Sequence, residues 1–282
     1  MVRFLKLNQS VLELDSPSVE DRIKRFIKDY VRKSRAKGVV LGVSGGLDSS
    51  TTAALASLSL GSEKVLGISM PEAETQSVKH LEHIALLAEG FGFHLQTLDI
   101  SPTLRAYYKT LPIYEETDKL SRGNLKARVR MVYLYYYANN LDKLVCGSSD
   151  KSETMMGYFT KWGDVAADIS PLMDLYKTQV KQLASHIGVP KEIVDKPPTP
   201  ALWPGQLAEE ELGVKYDILD LILYGLEHFV TPEKIATQLN LTTEFVKSIR
   251  QRWLDAEHKR RLPLTTKLSY RTVGADFRLP YG

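Results

Sequence analysis

The fold of this chain is decided by the stretch Val39-Val40-Leu41-Gly42-Val43-Ser44-Gly45-Gly46-Leu47-Asp48-Ser49-Ser50. Its first five residues are an apolar, largely β-branched run, which is typical of a strand buried on both faces of a parallel sheet. A turn rich in glycine and serine follows, and a helix is predicted to begin at Thr51 and Thr52. Open parallel sheets bind ligands beyond the carboxyl ends of their strands, so this placement predicts a nucleotide site.

Strand and helix patterns alternate around this stretch. Further strands are predicted at residues 64–68, 93–98 and 143–146, with helices at about 50–60, 76–90 and 125–139. A helix over 17–36 precedes them, with Ser16 as its cap and five residues on its buried face: Ile23, Phe26, Ile27, Tyr30 and Val31. The alternation predicts an α/β fold with a doubly wound parallel sheet.

After the fourth strand, helices and loops replace the alternation. A helix is predicted at 177–187, a proline-rich loop at 195–206, further helices at 209–261 and an irregular end to Gly282. We expect one domain over residues 1–282, with a nucleotide-binding core at 17–190 and a helical C-terminal extension at 191–282.

The bulk composition excludes several classes of protein. The 282 residues are 43% hydrophobic and 25% charged, as in ordinary soluble domains, and we find neither a signal peptide nor a membrane span, so a cytoplasmic location is expected. The net charge of +3 suits anionic ligands without requiring nucleic acid. Cys146 is the only cysteine and belongs to a predicted strand, so core packing is favoured over a catalytic thiol.

The residue types of the turn fit a phosphate site. Glycines let the backbone approach phosphate oxygens closely, and Ser44, Ser49 and Ser50 add hydroxyl donors. Asp48 fits such a site only if it holds a divalent cation that the phosphates share. The turn is neither a Walker A loop nor a dinucleotide fingerprint, and the plainest alternative is a tight turn with a capping serine.

The turn resembles the Ser-Gly-Gly-x-Asp-Ser loop of the N-type ATP pyrophosphatases, which adenylylate their substrates. That loop also occurs in GMP synthetases, argininosuccinate synthetases and tRNA-thiolating enzymes. Further blocks resemble NAD synthetases in their order along the chain: 122–128, 147–153, 157–164, 167–172, 175–179 and 257–261. The resemblance runs from about residue 17 to 263 and implies an adenine nucleotide alpha hydrolase-like fold.

The resemblance also implies roles for individual residues. It assigns ATP binding to Gly42, Val43, Ser44, Gly45, Gly46, Leu47, Asp48, Ser49, Ser50, Ser148, Lys177 and Thr199. It assigns binding of deamido-NAD to Arg128, Lys161, Asp168, His258 and Lys259. Asp48 and Glu153 would hold Mg²⁺; taken alone, Glu153 equally fits a carboxylate placed in a first helical turn for its dipole. Asp48, Asp168 and Lys177 are the residues expected to carry catalysis.

The implied reaction joins ammonia to deamido-NAD. The nicotinate carboxylate attacks the α-phosphorus of ATP, pyrophosphate leaves, and ammonia then displaces AMP; we expect Asp168 to take a proton from ammonium. Glutamine-using relatives carry an amidase domain with a catalytic cysteine, so free ammonia is the expected donor here. Two departures from the family are Ser148 in place of threonine and Ile68-Ser69-Met70-Pro71, which lacks an arginine that some members carry.

Two hypotheses concern partners. The predicted helix at 125–139 carries more aromatic residues than one core-facing stripe requires, which fits a fully buried helix or a dimer interface, and the resemblance favours a homodimer. Residues 231–249 have the spacing of a helix-turn-helix, so a nucleic-acid-binding or tRNA-modifying protein is the rival hypothesis. The overall charge is near neutral, which disfavours this rival hypothesis, and we expect neither a nucleic acid nor a membrane as partner.

Overall fold

A four-stranded parallel sheet lies at the centre of the protein, which a computed structural model describes over residues 5–75, 78–272 and 276. Its strands are β1 (Val39–Gly42), β2 (Val65–Ser69), β3 (His94–Thr97) and β4 (Leu144–Val145), in the order β3-β2-β1-β4. β1 pairs with β2 from Val39 opposite Val65 to Gly42 opposite Ile68. All four strands fall within a residue or two of their predicted positions, so the parallel α/β sheet is confirmed.

Helices cover both faces of the sheet. The helices of the first 194 residues are α1 (Ser16–Lys33), α2 (Leu47–Leu60), α3 (Val78–Phe91), α4 (Ser101–Thr110), α5 (Lys119–Asn140), α6 (Lys151–Met156), α7 (Lys177–His186) and α8 (Lys191–Val194). Val39 and Leu41 of β1 pack with α1, α2, α3 and α7 on one face, whereas Val40 packs with α4 and α5 on the other. Alternate side chains of one strand thus enter two cores, which is the doubly wound arrangement.

The C-terminal part is helical, as predicted. It contains α9 (Ala208–Leu212), α10 (Tyr216–Glu227), α11 (Pro232–Leu239), α12 (Thr243–Asp255) and α13 (Glu257–Arg260). The helices α9 to α12 form a third core with α6 and with the chain's beginning, where Leu7 and Leu12 are buried. The Leu7 amide donates to Gln238 Oε1 at 2.8 Å. The first residues therefore belong to the C-terminal packing unit.

The structure corrects several predicted boundaries. Asp15, not Ser16, caps α1, which ends at Lys33, and Phe26 on its predicted buried face is 44% exposed. α2 begins at Leu47 instead of Thr51, so Asp48 and Ser49 lie in its first turn. α4 was not predicted. Gln76 and Ser77, the start of the helix predicted at 76–90, lie outside the described residues, as does most of the end beyond Thr272.

The predicted helix-turn-helix consists of α11 and α12, joined through Asn240 in a left-handed conformation. Ile235, Val246 and Ile249 are buried in the third core, and α12 also contacts α6. The helical spacing therefore follows from packing of this pair on α10 and α6. Among the described helices, none combines the length and the apolar character needed to cross a bilayer.

Candidate active site

The loop after β1 makes a tight turn into α2. Gly45 has a left-handed backbone with φ +73°, and a Cβ at this position would lie 3.2 Å from the His80 carbonyl oxygen, so only glycine fits well. Ser49 Oγ lies 3.0 Å from Ser44 Oγ and accepts from the Ser44 amide at 3.2 Å, which closes the turn. The first amides of α2 lack partners within the helix, so this end attracts anions.

Three carboxylates surround the ammonium group of Lys177. Its Nζ lies 2.7 Å from Asp48 Oδ2, 2.6 Å from Asp150 Oδ2 and 2.8 Å from Glu153 Oε1. Asp48 comes from the first turn of α2, Asp150 caps α6 by accepting from the Glu153 amide at 2.8 Å, and Lys177 begins α7. Three helix N-termini thus bring one positive and three negative side chains together; we name these four residues the Lys177 cluster.

The excess of negative charge changes proton affinities in the Lys177 cluster. Burial raises the pKa of Asp150 to about 6, with Lys177 opposing and Asp48 adding to the shift. Burial and the charge of Asp150 also raise the pKa of Glu153. For Lys177, burial lowers the pKa, but the three carboxylates outweigh burial and hold it well above the usual value. The cluster therefore has more negative charge than its ammonium neutralises.

The Lys177 cluster has the donor set for a divalent cation. Asp48, Asp150 and Glu153 each offer an oxygen, and these oxygens lie within 4.8 Å of one another. Asp48 Oδ1 is buried and has no hydrogen-bond partner. Carboxylate oxygens are the ligands that Mg²⁺ prefers, and an orphaned buried oxygen is stabilised by a cation. The residues thus fit Mg²⁺, and the Lys177 ammonium now supplies positive charge at this position.

A cavity of about 630 Å³ opens beside the Lys177 cluster. Its walls come from the carboxyl ends of β1, β2 and β4, from α5, and from the segment 199–206. Asp48 and Glu153 reach the wall. A cavity of this size lies in the range of small-molecule sites, and it sits where ligands of open parallel sheets bind.

Most residues predicted to bind ATP lie on the cavity wall. They are Gly42, Val43, Ser44, Gly46, Asp48, Ser49, Ser148 and Thr199. Gly45, Leu47, Ser50 and Lys177 are not among the described wall residues: Ser50 is fully buried, and Lys177 contacts the wall residues Asp48 and Glu153. The Thr199 hydroxyl donates to the Gln206 carbonyl oxygen at 2.6 Å, which closes the 199–206 segment on itself.

Four of the five residues predicted to bind deamido-NAD are joined by hydrogen bonds around residues 157–161. Arg128 donates to the Lys161 carbonyl oxygen at 3.3 Å, and Lys161 Nζ donates to that of His258 at 2.5 Å. Lys259 lies on the cavity wall and donates to two carbonyl oxygens, those of Gly157 and Phe159. Asp168 is separate from the Lys177 cluster: its Oδ2 accepts from the Val145 amide of β4 at 2.8 Å.

A second buried lysine lies on another side of the cavity and was not predicted. Lys126 of α5 is 1% exposed, and its Nζ donates to Glu72 Oε1 and Glu74 Oε2, both at 2.8 Å, and to the Leu202 carbonyl oxygen at 2.9 Å. We name these four residues the Lys126 cluster. It joins the loop after β2 to the 199–206 segment, so it shapes the cavity wall without entering it.

Comparisons with known proteins identify the family of the chain. The family model described as NAD synthase matches residues 19–263. The NH(3)-dependent NAD(+) synthetase of Hyperthermus butylicus is 46% identical over 260 residues, covering 92% of this chain and 93% of the relative. The chain belongs to the NAD synthase family. A solved structure of NMN synthetase from Francisella tularensis superposes with a TM-score of 0.80 at 32% identity, covering 91% of this chain and all of the other.

The residues matched by the NAD synthase family model include both charged clusters and nearly the whole span of the resemblance seen in the sequence. A relative from Methanocaldococcus jannaschii, named NH(3)-dependent NAD(+) synthetase, is 46% identical over 252 residues, covering 89% of this chain and 96% of the relative. Sequence reasoning missed Asp150 as part of the site. The sequence did contain a signal for Asp150. It lies in the loop after β4, three residues before Glu153, which is the position from which a capping side chain faces the first turn of a helix.

Proposed function

We propose that the protein amidates deamido-NAD to NAD with ammonia, at the expense of ATP cleaved to AMP and pyrophosphate. The observation that carries this proposal is the Lys177 cluster on the same cavity wall as the Ser44–Ser49 turn. A phosphate-binding turn beside carboxylates that need a cation suits a polyphosphate substrate. The family supports ATP as co-substrate.

The reaction has two displacements. First, a carboxylate oxygen of deamido-NAD bonds to the α-phosphorus of ATP while the bond to the bridging oxygen breaks, and pyrophosphate leaves with the electron pair. Ammonia then attacks the acyl carbon, AMP leaves, and one proton is released. The turn amides, Ser44 and Ser49 would hold the pyrophosphate, so positioning and charge neutralisation are the protein's contribution.

Mg²⁺ is proposed as the cofactor, held by Asp48 and Glu153 with Asp150 behind them. When bound, it would supply neutralisation of charge on the phosphate oxygens. Lys177 would orient the carboxylates of this site through its contacts at 2.6–2.8 Å. Binding of Mn²⁺ as a probe, followed by its electron paramagnetic resonance signal, tests the ligands directly; wild-type affinity in Asp48→Asn would contradict the assignment.

The deamido-NAD site is proposed to include His258 together with Arg128, Lys161 and Lys259, and the positive charge of the arginine and the two lysines suits a pyrophosphate-bearing substrate. Asp168 is proposed to take the proton of ammonium, although its contact with the Val145 amide places it at the edge of β4. The KM for ammonium is measured as a function of pH in wild type and in Asp168→Asn. The same dependence on pH in both proteins would contradict this role.

We also propose a homodimer formed through α5. Val132 and Tyr136, one turn apart, are 64% and 69% exposed, and Arg128 is exposed one turn before them. Between Lys126 and Ala138 the other residues of α5 are buried or half-buried, and an exposed stripe of this kind suits an isologous contact between two copies. Light scattering tests it: a dimer mass is expected, with dissociation in Tyr136→Glu.

One domain over 1–282 is proposed for the chain, with a core at 17–190 and an extension at 191–282. The third core supports this, because it contains Met155 and Met156 of α6 together with the C-terminal helices. We propose a cytoplasmic location because every turnover consumes ATP.

The decisive experiment follows NAD and AMP formation from ATP, Mg²⁺, ammonium and deamido-NAD without nucleic acid. We expect stoichiometric products, loss of about 10³-fold in kcat/KM for Asp48→Asn, and no loss for the surface control Asp142→Asn. Nicotinate mononucleotide is tested as the competing substrate, because a structurally similar protein is named NMN synthetase. If kcat/KM is higher for nicotinate mononucleotide than for deamido-NAD, the mononucleotide is the substrate. Inactivity with both compounds would refute the proposal.

A further inference from the structure

Arg130 of α5 occupies the cavity at the end of the second strand. Its Nε donates to the carbonyl oxygen of Met70, directly beyond β2, at 3.2 Å, and the residue forms part of the cavity wall. The sequence offers no arginine within residues 68–71. The structure thus brings to this strand end, from the neighbouring helix, a guanidinium that the strand does not supply.

The sheet register places this guanidinium next to the phosphate-binding turn. Gly42 pairs with Ile68, and the Val43 amide donates to the Ile68 carbonyl oxygen at 3.0 Å. Met70 and Ser44 each lie two residues beyond that pair, and neighbouring strands run about 4.8 Å apart. Met70, whose carbonyl holds Arg130, and Ser44, the first residue of the turn, therefore follow neighbouring strands at the same edge of the sheet, and both line the same cavity.

Arg130 lacks an anion of its own. Among the described residues, no carboxylate lies within 4 Å of its guanidinium, and its only hydrogen bond is the one from Nε. Glu72 and Asp164 act on it from longer range, and Glu72 accepts from Lys126. Burial lowers the pKa of Arg130, yet a guanidinium stays charged in proteins. A buried cation with unused donors calls for an anionic ligand.

We propose that Arg130 binds phosphate oxygens of ATP through its two Nη groups, as a binding residue that completes the site together with the Ser44–Ser49 turn. The inference rests on the proposed function, since it requires ATP in this cavity. A guanidinium matches the paired oxygens of a phosphate or a carboxylate equally well. Proximity to the turn decides for ATP over the carboxylate of deamido-NAD.

The test compares Arg130→Met and Arg130→Lys with wild type and with Arg105→Met, which removes an exposed arginine of α4. Equilibrium binding of ATP with Mg²⁺ and the KM of each substrate are measured, with thermal melts to verify folding. We expect ATP binding about 10- to 100-fold weaker in Arg130→Met, partial recovery in Arg130→Lys, and no change in Arg105→Met.

Three results would overturn the inference. Wild-type ATP affinity in both Arg130 variants would show that Arg130 does not bind ATP. A raised KM for deamido-NAD with unchanged ATP binding would assign the guanidinium to the carboxylate instead. Absence of ATP binding by wild type would refute the proposed function together with this inference. The first two results leave wild-type turnover intact, so they count against the role of Arg130 alone. If Arg130→Met does not fold, Arg130→Lys decides.

Discussion

Two buried lysines, each held by carboxylates, differ in how completely their partners are satisfied. In the Lys126 cluster, three donors meet three acceptors at 2.8–2.9 Å. In the Lys177 cluster, one ammonium faces three carboxylates, and Asp48 Oδ1 has no partner. Burial raises the pKa of Asp150, whereas Lys126 and two further donors outweigh burial and lower the pKa of Glu72.

The contrast separates a structural ion cluster from one that awaits a ligand. In a saturated cluster every buried charge has its partner, so removing one partner destabilises the fold. An unsaturated cluster with excess negative charge destabilises the free protein and gains stability when a cation binds. The Lys126 cluster therefore maintains the cavity wall, and the Lys177 cluster is where chemistry is expected.

Removing Lys126 should have the largest effect on stability. Lys126→Met leaves Glu72 buried without its cation, so we expect the free energy of unfolding to fall by about 3–5 kcal/mol. Urea denaturation measures this loss. The matched control is Lys37→Met, which breaks a pair with Asp142 whose side chains are 71% and 65% exposed and should change stability by less than about 1 kcal/mol. Equal losses in the two variants would refute the contrast.

Neutralising one carboxylate of the Lys126 cluster should cost less, because Lys126 keeps Glu74. We expect Glu72→Gln to lower the free energy of unfolding by about 1–3 kcal/mol through a weakened buried hydrogen bond. Glu63→Gln, on the exposed turn before β2, serves as the control and should be neutral. Stability of Glu72→Gln at the wild-type level would mean that the cluster is not saturated.

The two clusters should respond oppositely to pH in metal-free protein. The pKa of Asp150 is raised from 3.8 to about 6, so its destabilising effect is complete above pH 6 and disappears as the pH falls towards 4. Asp150→Asn retains a capping side chain and should be more stable than wild type above pH 6, by about 1 kcal/mol or more.

Glu72 has a lowered pKa, so its stabilising effect is present above about 4.5 and is lost as the pH falls through the folded-state value. The advantage of wild type over Glu72→Gln should therefore shrink below pH 4.5. Unfolding free energies of wild type and both variants between about pH 3 and pH 7 measure these differences. Parallel curves for all three proteins would contradict the assigned roles.

The smallest effect is expected on the 197–206 loop, which we predict covers the bound nucleotides. Chymotrypsin cleavage after Leu202 should slow about threefold or more with saturating ATP and deamido-NAD. Cleavage after Phe229, which is 95% exposed between α10 and α11, provides an internal reference that should stay constant. Unchanged cleavage after Leu202 would contradict the covering role.

Regular periodicity made the sheet predictable. Apolar runs located β1 and β2 because buried parallel strands need apolar residues on both faces, whereas the edge strand β3 is half-buried to exposed. The start of α2 was misplaced because glycines and serines resemble a loop, although Leu47 to Ser50 are already helical. α4 was missed because its ten residues bury only Ser101 and Leu104.

Charged residues in the interior were the least predictable part of the site. Asp48 and Glu153 follow strands in motif-bearing loops, and the structure places both within 2.8 Å of Lys177. Lys126 lies on a helix, where a lysine is normally assigned to the exposed side. Its partners Glu72, Glu74 and Leu202 are 52 or more positions away along the chain, so only tertiary structure reveals the pairing.

The docking of the chain's first residues on its last helices sets the order of events during synthesis. Leu7 finds its acceptor on Gln238, 231 positions later, so the N-terminal segment emerges from the ribosome long before its binding surface exists. The α/β layers can assemble first, because their elements are complete by α7. The third core cannot close until α10 to α12 have been synthesised, and until then the segment containing Leu7 and Leu12 cannot bury its apolar side chains there.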